Sequence, residues 1–109
     1  MAYDLELANR VWLMMQRKPG VEEKKMFGGV GYMIQGNMAC GVNGDELIVR
    51  VGPHDYEDAL NHSHTREFDF TGRPMKGWVK VIPEGCATDE QLKRWVQKGV
   101  EFALSLPPK

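Results

Sequence analysis

Cysteine and histidine are scarce in this chain of 109 residues, which contains only Cys40, Cys86, His54, His62 and His64. Two thiols are too few for a disulfide scaffold or a four-cysteine zinc site, and no Cys-x-x-Cys pair is present. A tetrahedral zinc site would have to gather its ligands from scattered loops. No histidine is placed by sequence beside either cysteine, as a nucleophile and base would require. We therefore expect no metal, no cofactor and no enzymatic activity.

An excess of one charge and a long apolar run are also missing. Lys and Arg total 14 against 15 Asp and Glu, so the formal net charge is −1. A general nucleic-acid binder is expected to be strongly basic, so strong autonomous DNA binding is not expected. No apolar run approaches the roughly 20 residues that span a bilayer. Residues 1–6 lack the basic and apolar regions of a signal peptide. These features predict a cytoplasmic protein without membrane association, with both cysteines reduced.

The first element is predicted to be a helix, within a single domain covering residues 1–109. An apolar stripe recurs at helical spacing. Its members are Leu5, Ala8, Val11, Trp12 and Met15. Asp4 is the expected N-cap, and Pro19 ends the helix because proline disfavours helical geometry in the residue before it.

Three antiparallel strands are predicted next, at residues 26–35, 38–42 and 47–51. Gly36-Asn37 and Asn43-Gly44 are two-residue hairpin sequences, and the second is expected to need positive φ at both residues. The glycines at 28, 29 and 31 lead into a strand rather than a helix, unlike a phosphate-binding loop. We interpret them as a bulge or as a place where the last helix approaches the sheet.

The second half of the chain is predicted to contain a short helix, two strands and a last helix. Asp55 is expected to cap a short helix, and strands are predicted at residues 65–70, with Phe68 and Phe70 on one face, and at 77–82. Thr88 and Gln91 form a capping box ahead of a last helix that runs to residue 106. The sequence thus predicts an α+β fold of two layers, an antiparallel sheet with helices on one face, in the order α-β-β-β-α-β-β-α.

A basic and aromatic set of residues is the candidate binding site. Arg50, Arg66 and Lys80 lie on predicted strands, and Arg73 and Lys76 flank Pro74. If the sheet order brings them together, they form one face beside two aromatic residues. The full set is Tyr32, Arg50, Arg66, Arg73, Lys76, Trp78 and Lys80. The alternative is a solvated sheet face whose charges keep the edges from pairing with other chains.

Several spaced motifs resemble the TfoX N-terminal domain. They are Lys25-Met26-Phe27-Gly28-Gly29-Val30-Gly31-Tyr32, Leu47-Ile48-Val49-Arg50-Val51, Arg73-Pro74-Met75-Lys76-Gly77-Trp78-Val79, Trp95-Val96-Gln97-Lys98-Gly99 and Ser105-Leu106-Pro107-Pro108-Lys109. The resemblance implies a secretion-chaperone-like α+β fold and a bacterial origin. It also implies kinship with the TfoX/Sxy regulators of competence for DNA transformation, which act with a cyclic-AMP receptor protein at promoters. Those regulators carry a second, C-terminal helical domain, which we do not expect in this chain.

Two functional hypotheses follow from the sequence and the resemblance. The first is a non-enzymatic, cytosolic interaction module with a regulatory role through a protein partner, or as a homodimer. The second is a small-molecule or nucleic-acid binding domain that uses the uncovered face of the sheet. The resemblance supplies no catalytic residue, and an enzyme is disfavoured because no nucleophile and base are paired.

Overall fold

One open antiparallel sheet organises the computed structural model, which describes residues 3–18, 20–26, 28–69, 72 and 74–109. Its strands in chain order are β1 (Val21–Met26), β2 (Gly29–Ile34), β3 (Asn37–Asn43), β4 (Glu46–Arg50), β5 (Thr65–Glu67) and β6 (Trp78–Val81). Across the sheet the order is β1-β2-β3-β4-β6-β5. The helices are α1 (Leu5–Met15), α2 (Tyr56–Leu60) and α3 (Asp89–Leu104), with a short 3₁₀ turn at Pro83–Gly85. The predicted α+β class is confirmed.

The first group of strands contains one more member than expected. Val21–Met26 forms β1, which pairs along its whole length with β2. Its residues read as a charged run because β1 is an edge strand, exposed at every position except the partly buried first and last. Charged edge strands are a common protection against pairing with other chains. Because these residues show no apolar alternation, the sequence pattern did not predict this strand.

The helices begin where their capping residues predict. The Asp4 carboxylate accepts from the backbone N–H groups of Glu6 and Leu7 at 2.9 and 3.2 Å. At the start of α3, Thr88 and Gln91 form both bonds of the capping box. One predicted core position is wrong, because Leu5 is 52 % exposed and Leu7 is buried in its place.

Both predicted hairpin turns are displaced by one residue. The first turn is Gln35-Gly36, with φ of +52° and +87°, and Asn37 already belongs to β3. In the second, Asn43 pairs with Glu46 and only Gly44 has positive φ, at +59°. A two-residue loop with positive φ at both residues has a twist that matches the right-handed twist of the flanking strands. Gln35 and Gly36 both have positive φ, and they form the first turn.

The two faces of the sheet differ sharply in what covers them. Residues directly opposite each other in antiparallel strands share a face. The register therefore places Tyr32, Cys40, Val49 and Val79 on one face, where each is fully buried. This face packs against α1, α2 and α3.

The other face, called the open face below, has no helix over it among the described residues. Register partners place the row Gly31, Gly41, Ile48, Lys80 and Arg66 across its middle. The predicted two-layer arrangement is thus present, with every described helix on the opposite side.

Candidate binding site

An apolar cleft of about 500 Å³ lies on the open face. Its walls come from both halves of the chain, with β1, β3 and β4 on one side and β6 with the preceding loop on the other. The side chains that line it are Met26, Met38, Ile48, Phe68, Met75 and Trp78. A cleft of this volume falls within the range of small-ligand pockets, roughly 300–1,000 Å³.

Gly41 lines the cleft, and its register partner Gly31 lies beneath the side chains of Met26 and Met38. A Cβ at Gly31 would lie 3.1 Å from the Met26 methyl carbon and 3.3 Å from that of Met38. A Cβ at Gly41 would lie 2.8 Å from the same Met38 carbon. The ends of these methionines therefore occupy the space that side chains at the two glycines would need. Because methionine is unbranched and flexible, the glycines can be covered or uncovered by rotation about side-chain bonds.

Ile48 shows that the open face has an apolar cluster of its own. It is only 4 % exposed, although it lies opposite Gly41 on the face without helices. It does not belong to the core cluster that packs under α1, α2 and α3. The methionine and aromatic side chains around the cleft are what remove it from water.

Charged residues surround the cleft, and some of them neutralise each other. Lys80 lies 3.8 Å from Glu46, and Lys24 lies 3.7 Å from Glu22. Arg66 is exposed and sits opposite Lys80 in the register. In the part of the chain that the structure describes, Arg66 makes no ion pair with a carboxylate.

Arg50 is held by aromatic rings. Its guanidinium carbon lies 5.2 Å from the ring centroid of Trp78 and 5.2 Å from that of Phe102. Such cation–π contacts stabilise by about 0.5–2 kcal/mol, more when they are shielded from water. The arginine is therefore fixed at the end of β4 beside the cleft, and its charge is not cancelled by a carboxylate within the described residues.

Tyr32 does not lie on the open face, and its predicted placement is wrong. The side chain is fully buried on the helix side, where its hydroxyl donates to the Ala8 carbonyl oxygen at 2.9 Å. Burial, followed by the nearby Glu23 carboxylate, raises the pKa of this phenol above its ordinary value. Successive residues of a strand point to opposite faces of the sheet. Because Gly31 lies on the open face, Tyr32 lies on the face that the helices cover.

The remaining predicted site residues divide into three groups. Arg50, Arg66, Trp78 and Lys80 share the open face, as the interpretation required. Lys76 is exposed in the loop after Met75, which lines the cleft. Arg73, like Phe70, lies outside the described residues.

Both cysteine side chains are buried. Cys40 is fully buried, and burial raises its pKa from 9.0 to about 12. Cys86 is 2 % exposed and lies 3.7 Å from the Ile82 carbonyl oxygen. Its pKa is also raised, mainly by burial, although Arg10 lowers it. Both thiols are therefore protonated at neutral pH, and a protonated thiol is a poor nucleophile.

No group of three or more His, Cys, Asp or Glu side chains in the described segments is arranged to hold a metal ion. The expectation that the protein has no native metal site remains a prediction. In the same segments, no helix combines the length and the apolar character needed to cross a bilayer.

Of the side chains that line the cleft, only Trp78 was predicted as a site residue, because the prediction relied on charge and aromatic rings. Three methionines occupy open-face positions in the strands, Met26, Met33 and Met38, and Met75 joins them from the loop. The chain has seven methionines in all. Their alternation with the core residues of β2 and β3 was the available indication, because methionine is common at adaptable binding surfaces.

The chain matches a known protein family. The family model for the TfoX N-terminal domain matches residues 14–103 of the 109. The match includes all six strands, α2 and almost the whole of α3. No curated protein matches the chain.

Proposed function

Because this chain belongs to the TfoX N-terminal domain family, and its sheet leaves one face open, we propose that it is a non-enzymatic interaction module. The open face contacts a protein partner, and through that contact the module has a regulatory role in the bacterial cytoplasm. The resemblance to competence regulators suggests a role close to transcription, which is an argument from analogy.

The observation that carries the proposal is the methionine-rich apolar cleft. A partly exposed apolar surface is costly to keep in water, and in a soluble domain it commonly marks a site of interaction. Here the flexible ends of Met26 and Met38 lie over Gly31 and Gly41, so among the described residues the sheet at this point is covered only by movable thioether side chains. An apolar side chain of a partner gains contact with these side chains and with the walls of the cleft.

Affinity capture with a matched pair of variants tests this proposal. Met38→Gln places an amide at the cleft without changing the charge or greatly changing the length of the side chain. Leu13→Gln makes a comparable change on α1, where Leu13 is 58 % exposed and lies away from the open face. Circular dichroism and urea unfolding establish first that both variants remain folded.

The expected result is a partner protein retained by the wild type and by Leu13→Gln, and lost or reduced about tenfold with Met38→Gln. A tenfold loss corresponds to about 1.4 kcal/mol, which is the scale of burying an amide without a hydrogen-bond partner. Partners retained equally by all three proteins would place the interaction elsewhere and contradict the proposal.

A small-molecule ligand is the second candidate, and the volume of the cleft favours it. Native mass spectrometry of protein purified from its own cells under mild conditions tests this alternative. A discrete added mass that is present on the wild type and absent from Met38→Gln would support the small-molecule function over the protein-binding one.

A further inference from the structure

We infer that the segment bound at the open face is an acidic stretch of polypeptide that inserts one bulky apolar side chain into the cleft. This inference rests on the proposed function and names the chemistry of its partner. It combines two independent features of the open face, the apolar cleft and the charges beside it.

The apolar anchor is indicated by the shape and lining of the cleft. Gly41 lines the cleft without a side chain, and the tips of Met26 and Met38 lie over it and over the neighbouring Gly31. The opposite wall contains the indole of Trp78. Flexible thioethers can move aside for a leucine or a phenylalanine and then pack against it, whereas a rigid wall accepts only one shape.

The acidic character of the partner segment is indicated by cations near the cleft that form no ion pair within the described residues. Lys24 is paired with Glu22 of the same strand, and Lys80 is paired with Glu46 of the neighbouring strand. Arg50, Arg66 and Lys76 have no carboxylate partner in the described part of the chain. Cations without a carboxylate partner therefore lie on this face and in the loop at Lys76, together with the exposed Asp69 after Phe68, while the whole chain carries a formal charge of −1.

A second copy of this chain fits the face poorly. In a symmetric dimer through the open face, the same patch is present on both subunits. Arg50, Arg66 and Lys76 of both copies would then be brought into one interface, and like charges brought together across an interface oppose binding.

Binding of nucleic acid to the open face is also disfavoured, because the aromatic rings there are packed against other side chains. Single-stranded nucleic acid binds largely through bases that stack on exposed rings. Trp78 packs against Phe68, with 6.3 Å between ring centroids, and the Arg50 guanidinium lies over Trp78. The rings are thus engaged with protein groups, and the apolar surface that remains belongs mainly to methionine and Ile48.

The test uses three fluorescein-labelled synthetic peptides and a single-stranded oligonucleotide of similar length. The first peptide has a central Leu-Phe pair flanked by glutamates. The second has the same pair flanked by lysines, and the third has the glutamates with serines in place of the pair. Binding is measured by fluorescence anisotropy with the wild type, Arg66→Glu, Lys93→Glu and Met38→Gln. Lys93 is an exposed cation on α3, so Lys93→Glu makes the same charge change away from the open face.

The acidic Leu-Phe peptide is expected to bind at least tenfold more tightly than each of the other two peptides. Arg66→Glu weakens that binding about fivefold, the scale of one lost exposed charge pair, and Lys93→Glu leaves it within about twofold. The net negative charge of the chain would by itself favour the lysine peptide, so a preference for glutamate reports the local field of the open face.

Three results would overturn the inference: equal binding of the acidic and basic peptides, no effect of Arg66→Glu, or tighter binding of the oligonucleotide. The proposed function is judged separately. If partner capture still depends on Met38 while the peptides show no preference for glutamate, the open face binds a protein of different chemistry. If capture does not depend on Met38, the proposed function fails as well.

Discussion

Gly99 in α3 lies directly against the carbonyl group of Ala39 in β3. A Cβ at Gly99 would overlap the Ala39 carbonyl oxygen and lie 2.9 Å from its carbonyl carbon. The glycine therefore lets the longest helix approach the centre of the sheet, with an alanine as the small residue opposite. Both atoms in the way belong to the backbone, so they cannot rotate aside.

The first prediction uses this contact. In an exposed helix, alanine is favoured over glycine by about 1 kcal/mol, so helix propensity alone predicts that Gly99→Ala stabilises the protein. We expect the opposite, a loss of about 2 kcal/mol or more, because forcing an extra carbon into a packed contact displaces α3. Urea unfolding at equilibrium measures the difference. A free energy of unfolding that is unchanged or raised would contradict the close approach.

The second prediction compares the two glycines under the cleft. A Cβ at Gly31 meets only the flexible ends of Met26 and Met38, at 3.1 to 3.4 Å. A Cβ at Gly41 lies 2.6 Å from the Val30 carbonyl oxygen, which is backbone. Gly31→Ala is therefore expected to leave stability unchanged or raise it by about 0.5–1 kcal/mol, since alanine loses less entropy in a strand. Gly41→Ala is expected to cost about 1–3 kcal/mol.

Thermal and urea unfolding of the two variants, measured side by side, decide between these outcomes. The same pair separates stability from binding, because Gly31→Ala adds a methyl group beneath Met26 and Met38 in a protein that is expected to stay folded. Equal losses of stability in the two variants would mean that the methionine tips are packed as rigidly as the backbone.

The third prediction concerns pH and the buried thiol of Cys40. Its pKa is about 12 in the folded protein and 9.0 in the unfolded reference, because burial disfavours the thiolate. Above the unfolded value the unfolded chain releases this proton and the native protein does not. The thiol's contribution is therefore complete below pH 9.0 and declines as pH rises towards about 12.

Cys40→Ala provides the measurement. The alanine variant is expected to be less stable near neutral pH, because it leaves a small cavity. Between about pH 8 and about pH 10 the wild type's advantage should shrink by about 1 kcal/mol, as expected from one proton linked to unfolding. An advantage that stays constant over this range would show that the thiol titrates equally in both states.

Local chemistry was enough to predict much of the fold. The capping box at Thr88 and the alternation of Val79 and Val81 with Trp78 and Lys80 depend on neighbours in sequence, and the structure contains both. The exposed Leu5 and the edge strand Val21–Met26 depend on which face or edge of the molecule they occupy. The spacing of residues in the sequence does not show which face or edge of the molecule a residue occupies.

The candidate site was harder to predict for the same reason. The register that places Ile48 opposite both Gly41 and Lys80 is a property of three strands together. The glycines at 28, 29 and 31 were interpreted as a bulge or as a place where the last helix approaches the sheet. The register shifts between Tyr32 and Met33, and the approach of the helix occurs at Gly99 and Ala39. Gly31 instead opens the other face. The charged residues of the site were predictable because strand alternation alone put Arg50 and Lys80 outside the core.

The last prediction concerns duplex DNA, for which kinship with competence regulators and electrostatics give opposite expectations. Four cations already have a carboxylate partner, namely Arg10, Lys24, Lys80 and Arg94. Non-specific binding to duplex DNA comes mainly from neutralising phosphates and releasing counterions, and it falls steeply with salt. The open face offers only Arg66 and Lys76 as exposed cations without such a partner among the described residues, beside an Arg50 held by aromatic rings. We therefore expect no duplex binding tighter than roughly 100 μM.

Fluorescence anisotropy with a labelled duplex in about 150 mM salt measures this affinity under physiological screening. Micromolar binding that weakens with Arg66→Ala, and not with Lys93→Ala, would instead make the open face a nucleic-acid surface.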